Sequence, residues 1–421
     1  MTRRSRRTLR LVSLYTGAGG MDYGFEAAGF ETAVAVEMDR TCCQTMRANR
    51  SWPLIEKNIH DATSDEIMAA GGFRRGDADL LIGGPPCQPF SKSAYWVNGD
   101  TKRLHDPRAS TLHEYMRCVE DLLPAAFVLE NVYGISYSGK EEGFHFLERE
   151  IARINKRHGT RYTFSWRVLN AARFGVPQIR ERFFLVAHRD GKHFEFPEET
   201  HGEPRDPPDG LFADTRAPYA TAWDALGDAD PPADEDLRVR GTWADLLPSI
   251  PEGENYLWHT PRKGGTPLFA WRSRYWSFLL KLAKNRPSWT IQAQAGPAIG
   301  PFHWKSRLLS IAEMAAIQTF PRTVTFSGSR SAVQKQIGNA VPSLLTEILG
   351  RAILSQFFSA TSDEALRLAV RPRTPLPPPE RVRRVPAKFR PLPAEQLVET
   401  EPRYLRNRRE QRERDDRLVD V

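Results

Sequence analysis

The chain opens on a strand, a glycine turn, a helix and a second strand ending in an acid, an order that few folds accept. Leu9 to Leu14 is a short apolar run leading into Tyr15-Thr-Gly-Ala-Gly-Gly20. A helical stretch, Met21 to Ala28, follows, and Glu31 to Val36 reads as a strand closed by Glu37. This is the grammar of a nucleotide-binding βαβ unit, in which glycines let a ligand approach the backbone and let the helix pack near its strand. The turn lacks the Gly-x-Gly-x-x-Gly spacing that cradles a pyrophosphate. A nucleoside ligand whose ribose diol meets Glu37 therefore fits better than a dinucleotide; adenosylmethionine is one such ligand among several.

Further strands are expected at Asp79 to Ile82, Ala126 to Leu129 and Phe183 to Ala187. Helical stretches at Ser64 to Ala70, Leu112 to Leu122 and Phe144 to Arg157 lie between them. Such alternation predicts an α/β fold with a mostly parallel sheet covered by helices on both faces. From about 197 to 251 the chain turns rich in Pro, Asp and Gly, and between Trp258 and Trp304 it becomes aromatic and basic. Trp271, Trp276 and Trp289 are expected to form the centre of a small domain there. Helical patterning returns at Arg307, with Ser310 and Glu313 at capping-box spacing, and a last helix spans Ser343 to Phe358. Beyond Ala360 the Arg- and Pro-rich composition predicts disorder.

Bulk properties add less. A net charge of +8 favours a polyanionic partner without naming it. The four cysteines (Cys42, Cys43, Cys87, Cys118) suit neither a disulfide framework nor a zinc site. The chain has no run of about 20 apolar residues that would span a membrane, so a cytoplasmic protein is expected.

Only Cys87 has surroundings that suggest chemistry. It sits in Gly83-Gly-Pro-Pro-Cys-Gln-Pro-Phe-Ser91, just after a strand, where glycines and prolines stiffen a loop at the carboxyl edge of the sheet. A structural thiol would need none of this. Glu130-Asn-Val132 follows another strand, so its carboxylate should reach the same edge. Gln178-Ile-Arg-Glu-Arg182 opens a third, with Arg180 and Arg182 on one face at period two. A helix cap or a solvated strand edge would explain each of the last two alone; the series persuades.

These residues resemble the DNA (cytosine-5) methyltransferase family. Pro-Pro-Cys-Gln-Pro-Phe-Ser, Glu-Asn-Val, Gln-x-Arg-x-Arg and Gln336-Ile-Gly-Asn-Ala-Val-Pro342 stand in that family's order, and the segment ending Ile-Gln-Thr-Phe-Pro321 looks like its penultimate block. The resemblance covers about 9–190 and 287–358. It implies a Rossmann-like adenosylmethionine-dependent methyltransferase domain with a smaller target-recognition domain. The division expected is 1–190 and 307–360 for the catalytic domain, 191–306 for target recognition, and 361–421 for a basic tail. Tyr15 stands where the family usually has Phe, and Asn58 where it usually has Asp, leaving Asn58 or Asp61 to meet the adenine.

The resemblance further implies a residue-by-residue site. Cys87 would attack the base, Glu130 would hold its N3 edge, Arg182 would contact O2, and Arg180 would orient the pocket. S-adenosylmethionine would lie against Tyr15, Gly17, Gly19, Gly20, Glu37, Met38, Asn58, Ile59, Gly84, Pro86 and Leu112, with Asn339 and Val341 closing the pocket; no metal is implied. Ser91 and Ser93 would close over the extruded nucleotide. Arg262, Lys263, Arg272 and Arg274 are candidates for DNA contacts in the aromatic-basic stretch. The implied partner is double-stranded DNA, bound by a monomer, with restriction or other defence proteins as further associates. The rival readings are an RNA cytosine methyltransferase and an inactive nucleic-acid-binding relative.

Overall fold

Period-two alternation puts Phe127 and Leu129 of strand β5 (Ala126–Val132) into one core and Ala126 and Val128 into another, all fully buried. A strand apolar on both faces must be covered on both, and it is. The computed structural model describes residues 7–86, 110–132, 142–203, 216–227, 231–360 and 364–393. Its main sheet has seven strands in the order β3-β2-β1-β4-β5-β7-β6. β1 (Leu9–Leu14), β2 (Phe30–Glu37), β3 (Leu54–Glu56), β4 (Leu80–Gly83) and β5 are parallel. β7 (Glu181–His188) runs antiparallel to both β5 and β6 (Thr163–Asn170).

Helices α3 (Ser64–Gly71), α4 (Ser110–Leu122) and α5 (Glu142–His158) contribute Ile67, Val119 and Leu147 to the core with Phe127. Helices α1 (Gly20–Ala28) and α9 (Ser343–Phe358) contribute Phe25 and Leu345 to the opposite core. A side chain at Gly24 would run into Ser343 and Thr346, so glycine lets α1 lie directly on α9. The other helices among the described residues are α2 (Arg40–Asn49), α6 (Ala222–Leu226), α7 (Ile311–Ile317) and α8 (Arg330–Asn339). The Ser310–Glu313 capping box forms at the start of α7. Strand order reverses between β1 and β4, and ligands of open α/β sheets bind outside the carboxyl ends of strands at such a point.

The aromatic-basic stretch carries almost no regular structure. Its core gathers Leu246, Leu247, Tyr256, Phe269, Phe278 and Phe302. Trp276, expected in that centre, is 54% exposed; the phenylalanines and Tyr256 fill the space instead. Lys281 and Lys284 are buried. Lys281 Nζ donates to Ile250 O at 2.9 Å, and Lys284 pairs with Glu252 at 2.6 Å.

Of the tail expected to be disordered, residues 364–393 are instead held in place, while 361–363 and 394–421 lie outside the described residues. Residues 364–393 run as an irregular strap across both lobes. Glu347, fully buried, accepts the Arg367 and Leu368 amides at 2.8 and 2.9 Å. Arg373 N donates to Asp224, Glu380 meets Lys284, and Arg383 N donates to Pro248 O. Phe389 stacks on Trp243 with ring centres 5.7 Å apart, and Leu392 N reaches Pro267 O at 3.0 Å. The strap's apolar residues are scattered among prolines, so no periodicity announces them.

Asp22, in the first turn of α1, is 1% exposed, and neither carboxylate oxygen has a hydrogen-bond partner among the described residues. Burial pushes its pKa up to about 7, against partial offsets from Ser13 and Arg50. The folded protein then favours the neutral acid. That contribution to stability is complete below the unfolded pKa near 4 and is lost as pH rises through about 7. Relative to Asp22→Asn, the parent protein should lose stability across this window, by on the order of 4 kcal/mol at the plateau. Denaturant titrations from about pH 3.5 to 8 check this; parallel profiles for the two proteins would contradict it.

Candidate active site

The carboxyl ends of β1, β2, β4 and β5 surround a cavity of about 520 Å³. Tyr15, Gly17, Gly20, Glu37, Met38, Gly84, Pro86, Glu130, Arg182, Asn339 and Val341 all line it. Gly17 and Gly19 have φ of 58° and 80°, conformations that glycine adopts without penalty. The Glu37 carboxylate accepts the Gly17, Met38 and Asp39 amides at 2.7, 2.9 and 2.7 Å. It therefore sets the shape of the turn as well as facing the cavity. A Cβ at Gly20 would come within 2.7 Å of Val341 O, so glycine lets the end of α8 close over the turn. Tyr15 uses the hydroxyl that phenylalanine lacks: it donates to Thr111 O at 2.6 Å, tying the turn to α4.

Some expected ligand positions lie elsewhere. Asn58 Oδ1 accepts the His60 amide at 3.2 Å and shapes a local turn, without lining the cavity. Asp61 is exposed beside it. Ile59 and Leu112 are packed into the core shared with Phe127, 4% and 7% exposed. Gly19 caps α1 rather than lining the cavity.

Glu130 and Arg182 meet at the cavity wall, with Arg182 Nε 3.0 Å from Glu130 Oε1. Their backbones are partnered through the β5–β7 register, where Val132 faces Arg182. Burial pushes the Glu130 pKa above the ordinary carboxylate value, while Arg182 and Arg180 pull the other way. Gly84 admits this carboxylate, since a Cβ there would lie 2.7 Å from Glu130 Oε2. Arg180 is 1% exposed and does not line the cavity. Its Nη2 donates to Gly338 O at 2.7 Å, binding the entrance of the arginine strand to the last turn of α8, which carries Asn339.

The loop entering Cys87 is held from two sides. Asn131 Nδ2 donates to Pro85 O at 3.3 Å and Thr111 Oγ1 to Pro86 O at 3.3 Å. Sequence reasoning gave neither residue a role, although Asn131 stood inside the Glu-Asn-Val block. It also missed buried Gln178 and Gln318, joined at 3.1 Å and tying β7 to α7. Cys87, Ser91 and Ser93 lie outside the described residues. Cys42, Cys43 and Cys118 are buried. Burial pushes the thiols of Cys43 and Cys118 up to about 12 and that of Cys42 higher, so none is an effective nucleophile.

In the second lobe, Lys263 pairs with Glu254 at 3.0 Å. The Arg262 and Arg272 guanidinium groups lie 4.7 and 5.9 Å from the Trp271 ring centre, and that of Arg274 lies 5.6 Å from Phe278. No metal-ligating cluster and no membrane-length apolar helix occur among the described residues.

The family profile of C-5 cytosine-specific DNA methylases matches residues 9–355. The chain belongs to this family. Among its relatives, the type II methyltransferase M.SacI of Streptomyces achromogenes is 41% identical over 373 residues, covering 83% of this chain and 93% of the relative. M.NgoFVII of Neisseria gonorrhoeae is 31% identical over 353 residues, covering 83% and 87%. The solved structure of DNMT2 from Spodoptera frugiperda shares the fold, with a TM-score of 0.54 and 17% identity over 83% of this chain and all of that one. This protein is thus a DNA (cytosine-5) methyltransferase with a Rossmann-like methyltransferase fold.

Proposed function

We propose that the protein methylates C5 of an extruded cytosine within a specific duplex DNA sequence, as the modification enzyme of a type II restriction-modification system. The restriction-modification assignment rests on similarity to type II methyltransferases over most of both chains. The observation that carries the chemistry is the Glu130–Arg182 pair on the wall of the cavity that the glycine turn opens.

Cytosine C5 is a poor nucleophile until C6 has been attacked. The Cys87 thiolate adds to C6, forming a carbon–sulfur bond and moving the electron pair towards C5 and the N3 edge. Glu130, with its raised pKa, donates or shares a proton at N3 and so offsets that charge. Arg182 fixes Glu130 and, in this reading, holds O2 of the base. S-adenosylmethionine supplies an electrophilic methyl on sulfur. The cavity fits such a donor: Glu37 Oε2, which accepts only the Gly17 amide, retains a lone pair for a ribose hydroxyl, and nothing lies within 4 Å of a Cβ built at Gly17. C5 takes the methyl carbon as its bond to the donor sulfur breaks, leaving S-adenosylhomocysteine; loss of the C5 proton and departure of the Cys87 sulfur then restore the aromatic ring. The base must leave the stack for any of this.

Glu37→Ala should weaken donor binding by roughly 1.5–3 kcal/mol, the usual size for hydrogen bonds to a charged group. Calorimetry finding no change would remove Glu37 from the site. The function itself is tested by methyl transfer from labelled donor to duplex DNA and to transfer RNA. DNA is expected to be methylated and RNA not; the reverse would overturn the DNA assignment.

A further inference from the structure

Between Glu254 and Glu313 the chain contains no aspartate or glutamate. Within that stretch, residues 271–276 put unusual side chains into solvent. Tyr275 is 81% and Trp276 54% exposed, and Arg272 and Arg274 beside them are exposed too. Large aromatic side chains left in water on a folded lobe mark an interaction surface.

The backbone beneath these side chains is fixed. Tyr256, 1% exposed, donates its hydroxyl to Arg274 O at 2.7 Å and accepts the Arg274 amide at 3.1 Å. Asn255, equally buried, donates to Trp276 O at 2.7 Å, and Ser273 Oγ donates to Ala270 O at 2.8 Å. Arg272 holds φ at 56°, a left-handed conformation that a non-glycine residue keeps only when its surroundings impose it. A backbone already held in place has little ordering left to lose on binding.

The loop also lies next to the reacting edge of the catalytic domain. Trp276 packs edge to face on Trp289 at 5.7 Å. The residues flanking Trp289 bond to the strand entrance: Ile179 N donates to Ser288 O at 2.8 Å, and Thr290 Oγ1 donates to Ile179 O at 2.7 Å. Arg182 follows three residues after Ile179.

We propose that residues 272–276 form a preset finger that reads the base pairs beside the target cytosine. Tyr275 and Trp276 contact bases or thymine methyls, and Arg272 and Arg274 hold the flanking phosphates. Duplex DNA is favoured over an apolar protein partner because the surface is cationic within an acid-free stretch. Stacking of each guanidinium on a ring leaves its in-plane N–H groups to donate. The inference rests on the proposed action on duplex DNA.

The test uses the full chain, with Tyr275→Ala, Tyr275→Ala/Trp276→Ala and Arg272→Ala/Arg274→Ala. Relative kcat/KM is measured on the target duplex and on duplexes changed at one flanking base pair. Melting temperature and donor affinity report on the fold. The aromatic variants are expected to lower discrimination at a flanking position by tenfold or more, with donor affinity unchanged; Tyr275→Ala makes this readable even if Trp276 also supports Trp289. The arginine variant should weaken target and non-target binding alike and reduce the salt slope by about 2. Full discrimination and unchanged DNA affinity in all three variants would overturn the finger. A parent protein that methylates no duplex DNA would overturn the functional reading instead.

Discussion

Cys87→Ser is expected to abolish methyl transfer while leaving S-adenosylmethionine binding nearly unchanged. A serine hydroxyl is far less ionised than a thiol at neutral pH, so no competent nucleophile reaches C6. The remaining cysteines cannot substitute, because Cys42, Cys43 and Cys118 are buried with raised pKa values. Donor affinity should survive because the ligand cavity is built from the glycine turn, Glu37, Gly84 and the α8–α9 junction. Calorimetry and a labelled-methyl assay on the same preparations separate the two effects. Loss of donor binding in step with activity would show that the serine had disturbed the fold rather than the chemistry.

Truncation is the second large effect, and its outcome depends on where the chain is cut. Ending the protein after Ala360 removes the strap, strips two amide donors from the buried Glu347 carboxylate, and uncovers the Trp243–Phe278 core. Hydrogen bonds to a charged group contribute about 1.5–3 kcal/mol each, and burying a phenylalanine contributes up to about 3 kcal/mol. A fall in Tm of roughly 10 °C or more is expected. Ending it after Pro393 keeps every strap contact described above, and Tm should stay within about 1 °C. Equal melting temperatures for the two truncations would show that the strap does not hold the lobes.

The truncation result bears on what a sequence can disclose. The βαβ opening, the capping box at Ser310 and the apolar strand at Ala126 to Leu129 are local patterns, and the structure reproduces them. That Glu37, Gly84, Glu130 and Arg182 share one cavity was legible because each was read at or beside a strand end on one sheet edge. What escaped depends on partners distant in sequence. Phe389 looks like a lone ring in a proline-rich tail until Trp243 lies beneath it. Lys284 is one more cation of the aromatic-basic stretch until Glu252 and Glu380 pair with it. Helix α2 has little apolar character, and its start rests on Asp39 accepting the Thr41 and Cys42 amides. Strand β6 is half-exposed and draws its register from β7. Arg180 and Arg182, two residues apart, suggested one pocket; Arg180 instead secures Gly338.

The central claim, that Cys87 forms a covalent bond to the target base while the methyl group is transferred, has a direct test. Duplex DNA carrying 5-fluorocytosine at the target position is incubated with the protein and S-adenosylmethionine, then denatured and analysed by mass spectrometry. Fluorine at C5 cannot leave as a proton does, so elimination of the thiol is blocked after methylation. The account predicts a protein–DNA adduct joined through the peptide containing Cys87, formed only when the donor is present and absent with Cys87→Ser. Release of methylated product without any adduct, or an adduct mapped to another residue, would contradict it.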